Sequence, residues 1–198
     1  AVALFLGLDV PFAWCLVFGA LILGSAEECY DGQYFFDTDH PVGGGTAANL
    51  LTSTALTEAN YSTARKTMLL YKSENGEPLD INPRLLVVPP SLEKTAKQIV
   101  EAENISVGSG STQTNVYKGT AEVLVVPRLE ANSATTWYLM DDTKSVKPLI
   151  WQSRVKPQFQ PPSMNEGQRF ENDLLVYGTR ARGVAGFGLW QLALKATA

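Results

Sequence analysis

The sequence predicts an α+β fold with long antiparallel strands, and three observations carry that expectation. Two apolar runs echo each other, Leu85-Leu86-Val87-Val88-Pro89 and Val123-Leu124-Val125-Val126-Pro127. Continuous β-branched runs of this length, each stopped by proline, fit central strands buried on both faces. Between them Leu92, Ala96, Ile99 and Val100 recur at helical spacing behind Ser91, which predicts a capped helix packed on the sheet that both strands share. Beyond Pro148 the period changes to two: Leu149, Trp151, Ser153 and Val155 alternate with Gln152, Arg154 and Lys156, the pattern of a long half-buried strand running to Phe159.

The other elements follow in order. From Val10 to Gly24 the chain carries no charge, and Asp9 as N-cap, Pro11 in the first turn and Gly24 at the C-terminus predict a buried helix. The run is 15 residues long, short of the roughly 20 that a membrane-spanning helix needs. Gly24-Ser25-Ala26 also resembles the small-residue cleavage site of an export leader, but no basic stretch precedes it. The chain opens on Ala1, as expected of a fragment or a processed product. Tyr30-Asp31-Gly32-Gln33 is an Asp-Gly hairpin turn flanked by Tyr30, Tyr34, Phe35 and Phe36. Asp37 to Pro41 is turn-rich, Gly43-Gly44-Gly45 starts a flexible loop, and Thr57 caps a helix to about Lys72 with Tyr61, Ala64, Met68 and Tyr71 on one face. Asn75-Gly76 ends that helix, and Gly108 to Asn115 reads as a polar loop. Thr135 to Met140 is a strand with Trp137 and Leu139 alternating. A last pair of strands, Leu174 to Tyr177 and Phe187 to Leu194, flanks a Gly-rich turn from Gly178 to Gly186.

Composition bounds the function. With 198 residues and 45% hydrophobic content the chain can bury a core, and no charged or Pro-rich linker divides it, so residues 1–198 form one unit built in lobes. A net charge of −4 gives no footprint for tight nucleic-acid binding. Cys15 and Cys29 are too few for a disulfide framework and lack metal or redox spacing, which predicts buried thiols or one bridge.

Asp37, Asp39 and His40 are the one cluster resembling metal ligands, and His40 is the single histidine. A metal-dependent hydrolase built on them is one reading. The competing reading makes them a side-chain-bonded turn before Pro41. Ser91 reads as a cap, not a nucleophile, and neither glycine-rich stretch has phosphate-loop geometry. Arg180 and Arg182 flank Ala181 in the predicted turn, where they could face solvent or a neighbour's carboxylates. Trp190, with Leu192 and Leu194, reads as core. No cofactor is expected.

From Tyr30 to Val42, YDGQYFFDTDHPV resembles the major head subunit (major capsid protein) family of Mu-like phages and prophages. The resemblance continues through LTEANYSTARKTM (56–68), GEPLDINPRLLVVPPSLEKTAKQI (76–99), TWYLMDD (136–142), KPLIWQSR (147–154) and YGTRARGVAGFGLWQLA (177–193). It implies the tailed-phage major capsid fold (Johnson, or Hong Kong 97-type) with axial and peripheral lobes. Residues 1–56 would then hold the end of the spine helix and a hairpin of the peripheral lobe, 57–147 mainly the axial lobe, and 148–198 strands returning to the peripheral lobe. The N-terminal arm, the extended loop and the first part of the spine lie outside this sequence, and residues 1 to 26 match the family poorly.

The resemblance further implies a structural subunit tiling an icosahedral shell as hexamers and pentamers around double-stranded DNA, a virion protein made in the host bacterial cytoplasm. Scaffolding, portal or decoration proteins are possible partners, and no membrane is involved. A wall that only encloses DNA needs no basic patch. Assembly or structural roles then fall to Asp31, Gly32, Asp37, Asp39, His40, Pro41, Arg154, Arg180, Arg182 and Trp190. The rival readings are the hydrolase and an exported β-rich binding module with a leader cleaved at Ala26.

Overall fold

The computed structural model describes residues 2–3, 28–106, 112–160 and 178–198. In chain order the elements are β1 (Val2–Ala3), β2 (His40–Val42), β3 (Gly45–Ala47), β4 (Leu50–Leu51), α1 (Glu58–Leu69), β5 (Leu85–Val88), α2 (Glu93–Val100), β6 (Asn104–Ser106), β7 (Thr112–Thr114), β8 (Glu122–Val125), α3 (Pro127–Glu130), β9 (Trp137–Met140), β10 (Leu149–Gln160), β11 (Gly178–Phe187) and β12 (Ala193–Ala196). Single 3₁₀ turns sit at Pro90–Leu92 and Trp190–Leu192. The predicted helix at 10–24, Cys15, and the predicted strand at 174–177 lie outside the described residues.

Five strands make the central sheet, in the order β4-β12-β9-β5-β8. The two echoing apolar runs are its parallel pair, Leu85 beside Glu122 through Val88 beside Val125, with α2 in the connection between them. Only the first has the expected burial: all four residues of β5 are buried, whereas β8 is the sheet's edge and its residues are partly exposed. An apolar run marks a strand but does not tell an interior place from an edge, which depends on what pairs outside it. Strand β9 lies antiparallel between β5 and β12, with Leu139 opposite both Leu86 and Leu194. Covered on both faces, β9 is buried at all four positions, so the alternation expected of Trp137 and Leu139 is absent. The sheet also joins β4 to β12, more than 140 positions apart in sequence, closing the core around Trp137, Tyr138, Leu139 and Leu194.

Helix α1 starts where expected: the Thr57 hydroxyl accepts from the Asn60 N–H at 3.3 Å, satisfying one of the free donors of the first turn. Tyr61, Ala64 and Met68 face the core, and Tyr71 just beyond is buried too. The helix stops at Leu69, before the expected Lys72. Lys72 instead pairs with Pro78, and the Ser73 N–H donates to Glu77 at 2.8 Å, so Asn75-Gly76 is the tip of a small hairpin with Gly76 at φ +83°. Arg65 ties α1 to the sheet by donating to the carbonyls of Pro83 at 2.7 Å and Thr120 at 3.3 Å.

Helix α2 buries Ala96, Ile99 and Val100 as expected, but Ser91 does not cap it. Ser91 sits within the preceding 3₁₀ turn, where its hydroxyl and its N–H both bond the Glu130 carboxylate, joining that turn to α3. The expected loop from Gly108 to Asn115 is partly strand: Thr112–Thr114 pairs with Asn104–Ser106, and buried Asn115 donates to Ile99 and Ala102 at 2.8 and 2.9 Å.

A second, three-stranded sheet has the order β1-β10-β11. Leu149 and Trp151 are buried while Gln152, Arg154 and Lys156 are exposed, as the period of two predicts. The expected Gly-rich turn from Gly178 to Gly186 is strand β11 itself, antiparallel to β10 with two register shifts. Glycine serves packing here. A Cβ on Gly183 would lie 2.2 Å from the Trp151 ring, so the missing side chain is what lets the indole cover the strand. Gly188, at the exit of β11, is tighter: a Cβ would meet the Lys147 carbonyl oxygen at 2.0 Å. Backbone cannot swing aside like a side-chain tip, so Gly188→Ala is expected to destabilise the fold by about 2 kcal/mol or more, read as a lowered urea midpoint.

Burial also sets an alkaline limit. Desolvation pushes the Tyr138 phenol up to about 12 and the Tyr71 phenol higher still. Below the ordinary phenol value of about 10 both rings are protonated in the folded and unfolded chain, and this contribution is fully present. Above it the unfolded chain loses its phenol protons first, so stability falls as pH rises toward about 12. Urea midpoints taken between pH about 9 and about 11 are expected to drop, and to drop less in Tyr138→Phe.

Candidate functional site

The densest polar feature centres on His40. It begins with the Asp31-Gly32 turn, where Gly32 takes φ +81°, the Cys29 N–H donates to Gln33 at 2.6 Å, and the Gln33 N–H donates to Asp31 Oδ1 at 3.2 Å. The turn is closed by one bridge, Glu28 to Tyr34, and not by a two-stranded hairpin. Phe35 and Phe36 go to the core while Tyr30 and Tyr34 stay exposed. One Asp31 oxygen holds its own turn, which leaves Oδ2 to meet His40 Nδ1 at 2.7 Å.

His40 opens β2, which pairs with β3 across Gly43 and Gly44. Both glycines have positive φ, +51° and +85°, the combination a type I′ turn requires, so the expected flexible loop is a tight hairpin. Pro41 lies on the exposed side of β2 opposite Thr46. The imidazole is fully buried, stacked on Trp190 at 4.1 Å and 8° between planes, with Tyr71 edge-on to the indole at 5.5 Å.

Asn49 completes the arrangement. Its amide nitrogen lies within hydrogen-bonding distance of the carbonyls of Phe35 at 2.7 Å and of Trp190 and Ala193 at 3.2 Å each. Three acceptors on that side turn the amide oxygen toward the Asp37 N–H at 2.9 Å and His40 Nε2 at 3.2 Å. Both ring nitrogens therefore lie against side-chain oxygens. The backbone of Asn49 joins in as well, its N–H to Asp37 and its carbonyl to Lys195.

This geometry gives no support to the rival metal-ligand reading of Asp37, Asp39 and His40. Both imidazole nitrogens already have hydrogen-bonding partners inside the chain, Nδ1 with Asp31 and Nε2 with Asn49. Asp37 Oδ1 accepts from the Thr38 N–H at 2.7 Å, and Asp39 is exposed. Among the described residues no three His, Cys, Asp or Glu side chains are grouped to hold a metal. Sequence reasoning missed Asn49, although a lone amide within Ala47-Ala48-Asn49-Leu50-Leu51 is a signal: a polar group in an apolar run is buried with partners or not buried at all.

The cationic candidates are elsewhere. Arg180 and Arg182 stand exposed on β11, not in a turn, opposite Gln158 and Val155 of β10, and Arg154 is exposed on β10. Cys29 is half-buried with a free thiol, pushed up by burial. No helix among the described residues is long and apolar enough to cross a membrane.

Among the described residues a five-stranded sheet with packed helices, a three-stranded sheet and two short two-stranded ribbons make an α+β fold, the class to which tailed-phage capsid subunits belong. The bacteriophage JBD30 capsid protein has that fold, with a TM-score of 0.51 at 23% identity over 58% of this chain and 62% of that one. The chain belongs to the family described as Mu-like prophage major head subunit gpT, whose model matches residues 12–55, 50–129 and 128–198. It is 31% identical over 179 residues to the Mu-like prophage FluMu major head subunit of Haemophilus influenzae, covering 90% of this chain and 36% of that protein. It is 24% identical over 180 residues to the major capsid protein of Escherichia phage Mu, covering 90% and 37%. The chain thus spans little more than a third of the length of these relatives.

Proposed function

We propose that this chain is part of a structural subunit of a phage or prophage head shell, self-assembling as hexamers and pentamers around double-stranded DNA. Family membership over residues 12–198 carries the reading. The site supports it: the histidine and its partners are consumed in joining the segments at 31, 40, 49 and 190, as a load-sharing tile needs and a reactive centre does not. Asp31, Gly32, Asp37 and Pro41 shape the turns that present His40 to Trp190. The subunit has no catalytic role and takes no cofactor.

In this reading residues 57–147, with α1 and α2, make most of the axial lobe, the β1-β10-β11 sheet belongs to the peripheral lobe, and β4 and β12 join the five-stranded sheet from segments otherwise assigned to the peripheral lobe. The protein is made in the host bacterial cytoplasm and ends in the virion, with scaffolding, portal or decoration proteins as possible partners. It encloses DNA without reading its sequence, consistent with the net charge of −4. Affinity is collective: each contact is modest, and every copy makes several. Purifying the full-length parent protein and imaging it by electron microscopy tests the proposal. Closed shells or capsomers are expected, and a strictly monomeric product at all salt and crowding conditions would sink it.

A further inference from the structure

Charge is unevenly placed on this chain. The described strands of the second sheet, β10 and β11, carry Arg154, Lys156, Arg180 and Arg182 and no carboxylate, a local charge of +4. All four are exposed, and none forms an ion pair among the described residues, where the lysine pairs are Lys97 to Glu93 and Lys118 to Glu103. Strand β11 is also the outer strand of its sheet. Exposed Phe159 and Val184, at 62% and 59%, give the ribbon apolar contact area beside its cations.

The opposite charge collects on two hairpins that touch each other. A Cβ on Gly43, at the tip of β2-β3, would lie 2.7 Å from the Glu74 carbonyl oxygen, so that tip rests on the Ser73 to Glu77 turn. The Tyr71 hydroxyl, donating to the Ala48 carbonyl at 2.6 Å, joins the two hairpins, and the Leu79 N–H, donating to the Tyr71 carbonyl at 3.1 Å, closes the second. Residues 37–47 contribute Asp37 and Asp39, residues 72–80 contribute Glu74, Glu77 and Asp80, and Lys72 is the one Lys or Arg, which leaves −4 with the buried His40 counted as neutral. Elsewhere on the surface the charges are mixed: α2 carries Glu93 with Lys94 and Lys97, and Glu103 meets Lys118.

The geometry points to an interface between copies of this subunit, in which the cationic β10-β11 ribbon of one copy docks on the acidic double hairpin of the next. Cations on an edge strand by themselves only discourage indiscriminate pairing. A matching surface on the same chain, equal in charge and opposite in sign, selects a second copy as the occupant. Because one patch meets a different patch, the contact is head-to-tail, the type that closes rings and propagates shells. Opposed fields of this kind fix register and hasten encounter more than they add affinity, and salt screens them beyond about 8 Å at physiological ionic strength. The inference rests on the shell reading and adds the surfaces through which copies meet.

The test uses the full-length parent protein. Arg180→Glu with Arg182→Glu reverses the ribbon, and Glu74→Lys with Glu77→Lys reverses the hairpins; all four positions are exposed, and circular dichroism verifies that the variants fold. Each reversal alone is expected to lower assembly yield by roughly tenfold at physiological salt, and combining the two in one chain to restore it. Carbodiimide coupling in a mixture of isotopically light and heavy copies is expected to join Lys156 to Glu74, Glu77 or Asp80 of a different copy. If the wild type assembles while both reversals assemble as well as it does, or if Lys156 couples only within its own chain, for example to Glu166, Glu171 or Asp173, the inference is wrong and the shell reading stands. If the wild type itself never assembles, the shell reading fails first.

Discussion

Replacing Asn49 with alanine is expected to destabilise the chain by about 3 kcal/mol or more, close to the whole stability of a marginal domain. The side chain is fully buried and its amide reaches the carbonyls of Phe35, Trp190 and Ala193 while accepting from Asp37 and His40. Truncation leaves those groups facing an apolar void, and each buried polar group left without a partner costs about 1–3 kcal/mol. Asn49→Asp separates shape from hydrogen bonding, because it keeps the volume but turns a donor toward carbonyls into an acceptor. It is expected to be at least as damaging. Urea denaturation followed by tryptophan fluorescence measures both, and an alanine variant with an unchanged midpoint would show that water can take over the amide's role.

Trp190→Ala is expected to cost about 3–5 kcal/mol. The indole is nearly fully buried, stacks flat on His40 and takes the edge of Tyr71, so its removal opens a cavity and uncovers the imidazole at once. Trp190→Phe keeps an aromatic face and is expected to lose less than half as much. The asymmetry matters for the site: if the phenylalanine variant is as unstable as the alanine variant, volume and not the stacked face is what His40 requires. Loss of the Trp190 contact is also expected to loosen the last strand, since Trp190 and Ala193 both present carbonyls to Asn49, and hydrogen exchange of β12 reads that directly.

Much of the fold was legible in local pattern. The two strands at Leu85–Val88 and Glu122–Val125, though not their parallel pairing, the helix between them, the Thr57 cap with Tyr61, Ala64 and Met68, and the alternation of β10 all follow from period and from residue type. The failures share a cause: each involves a residue whose type suits more than one local structure, and a contact elsewhere in the chain decides between them. Ser91 is a good cap by type, but Glu130, 39 positions away, offers its hydroxyl and N–H a charged acceptor. The glycines from Gly178 to Gly186 read as a turn, yet they lie in strand β11, where Gly183 leaves the room that Trp151 requires. Gly43-Gly44-Gly45 read as loose chain, yet positive φ at two of them makes a tight hairpin.

The candidate site shows the same division. His40 was singled out, and the turn chemistry around Asp31, Gly32 and Pro41 was readable, but Asp37 and Asp39 were paired with it because they are near in sequence. The actual partners are Asp31, Asn49 and Trp190, the last 150 positions away along the chain.

What the sequence determined by itself is the class of fold, the positions of most elements and, through the ordered motifs from Tyr30 to Ala193, the family. Those depend on periodicity, capping and composition, which are local quantities summed along the chain. What the tertiary structure alone decided is which strand lies at the edge, which polar side chains share one buried space, and where exposed charge of each sign gathers. These depend on contacts between distant segments, and a hydrogen bond or an ion pair is fixed by distance in space, which the order of residues does not state.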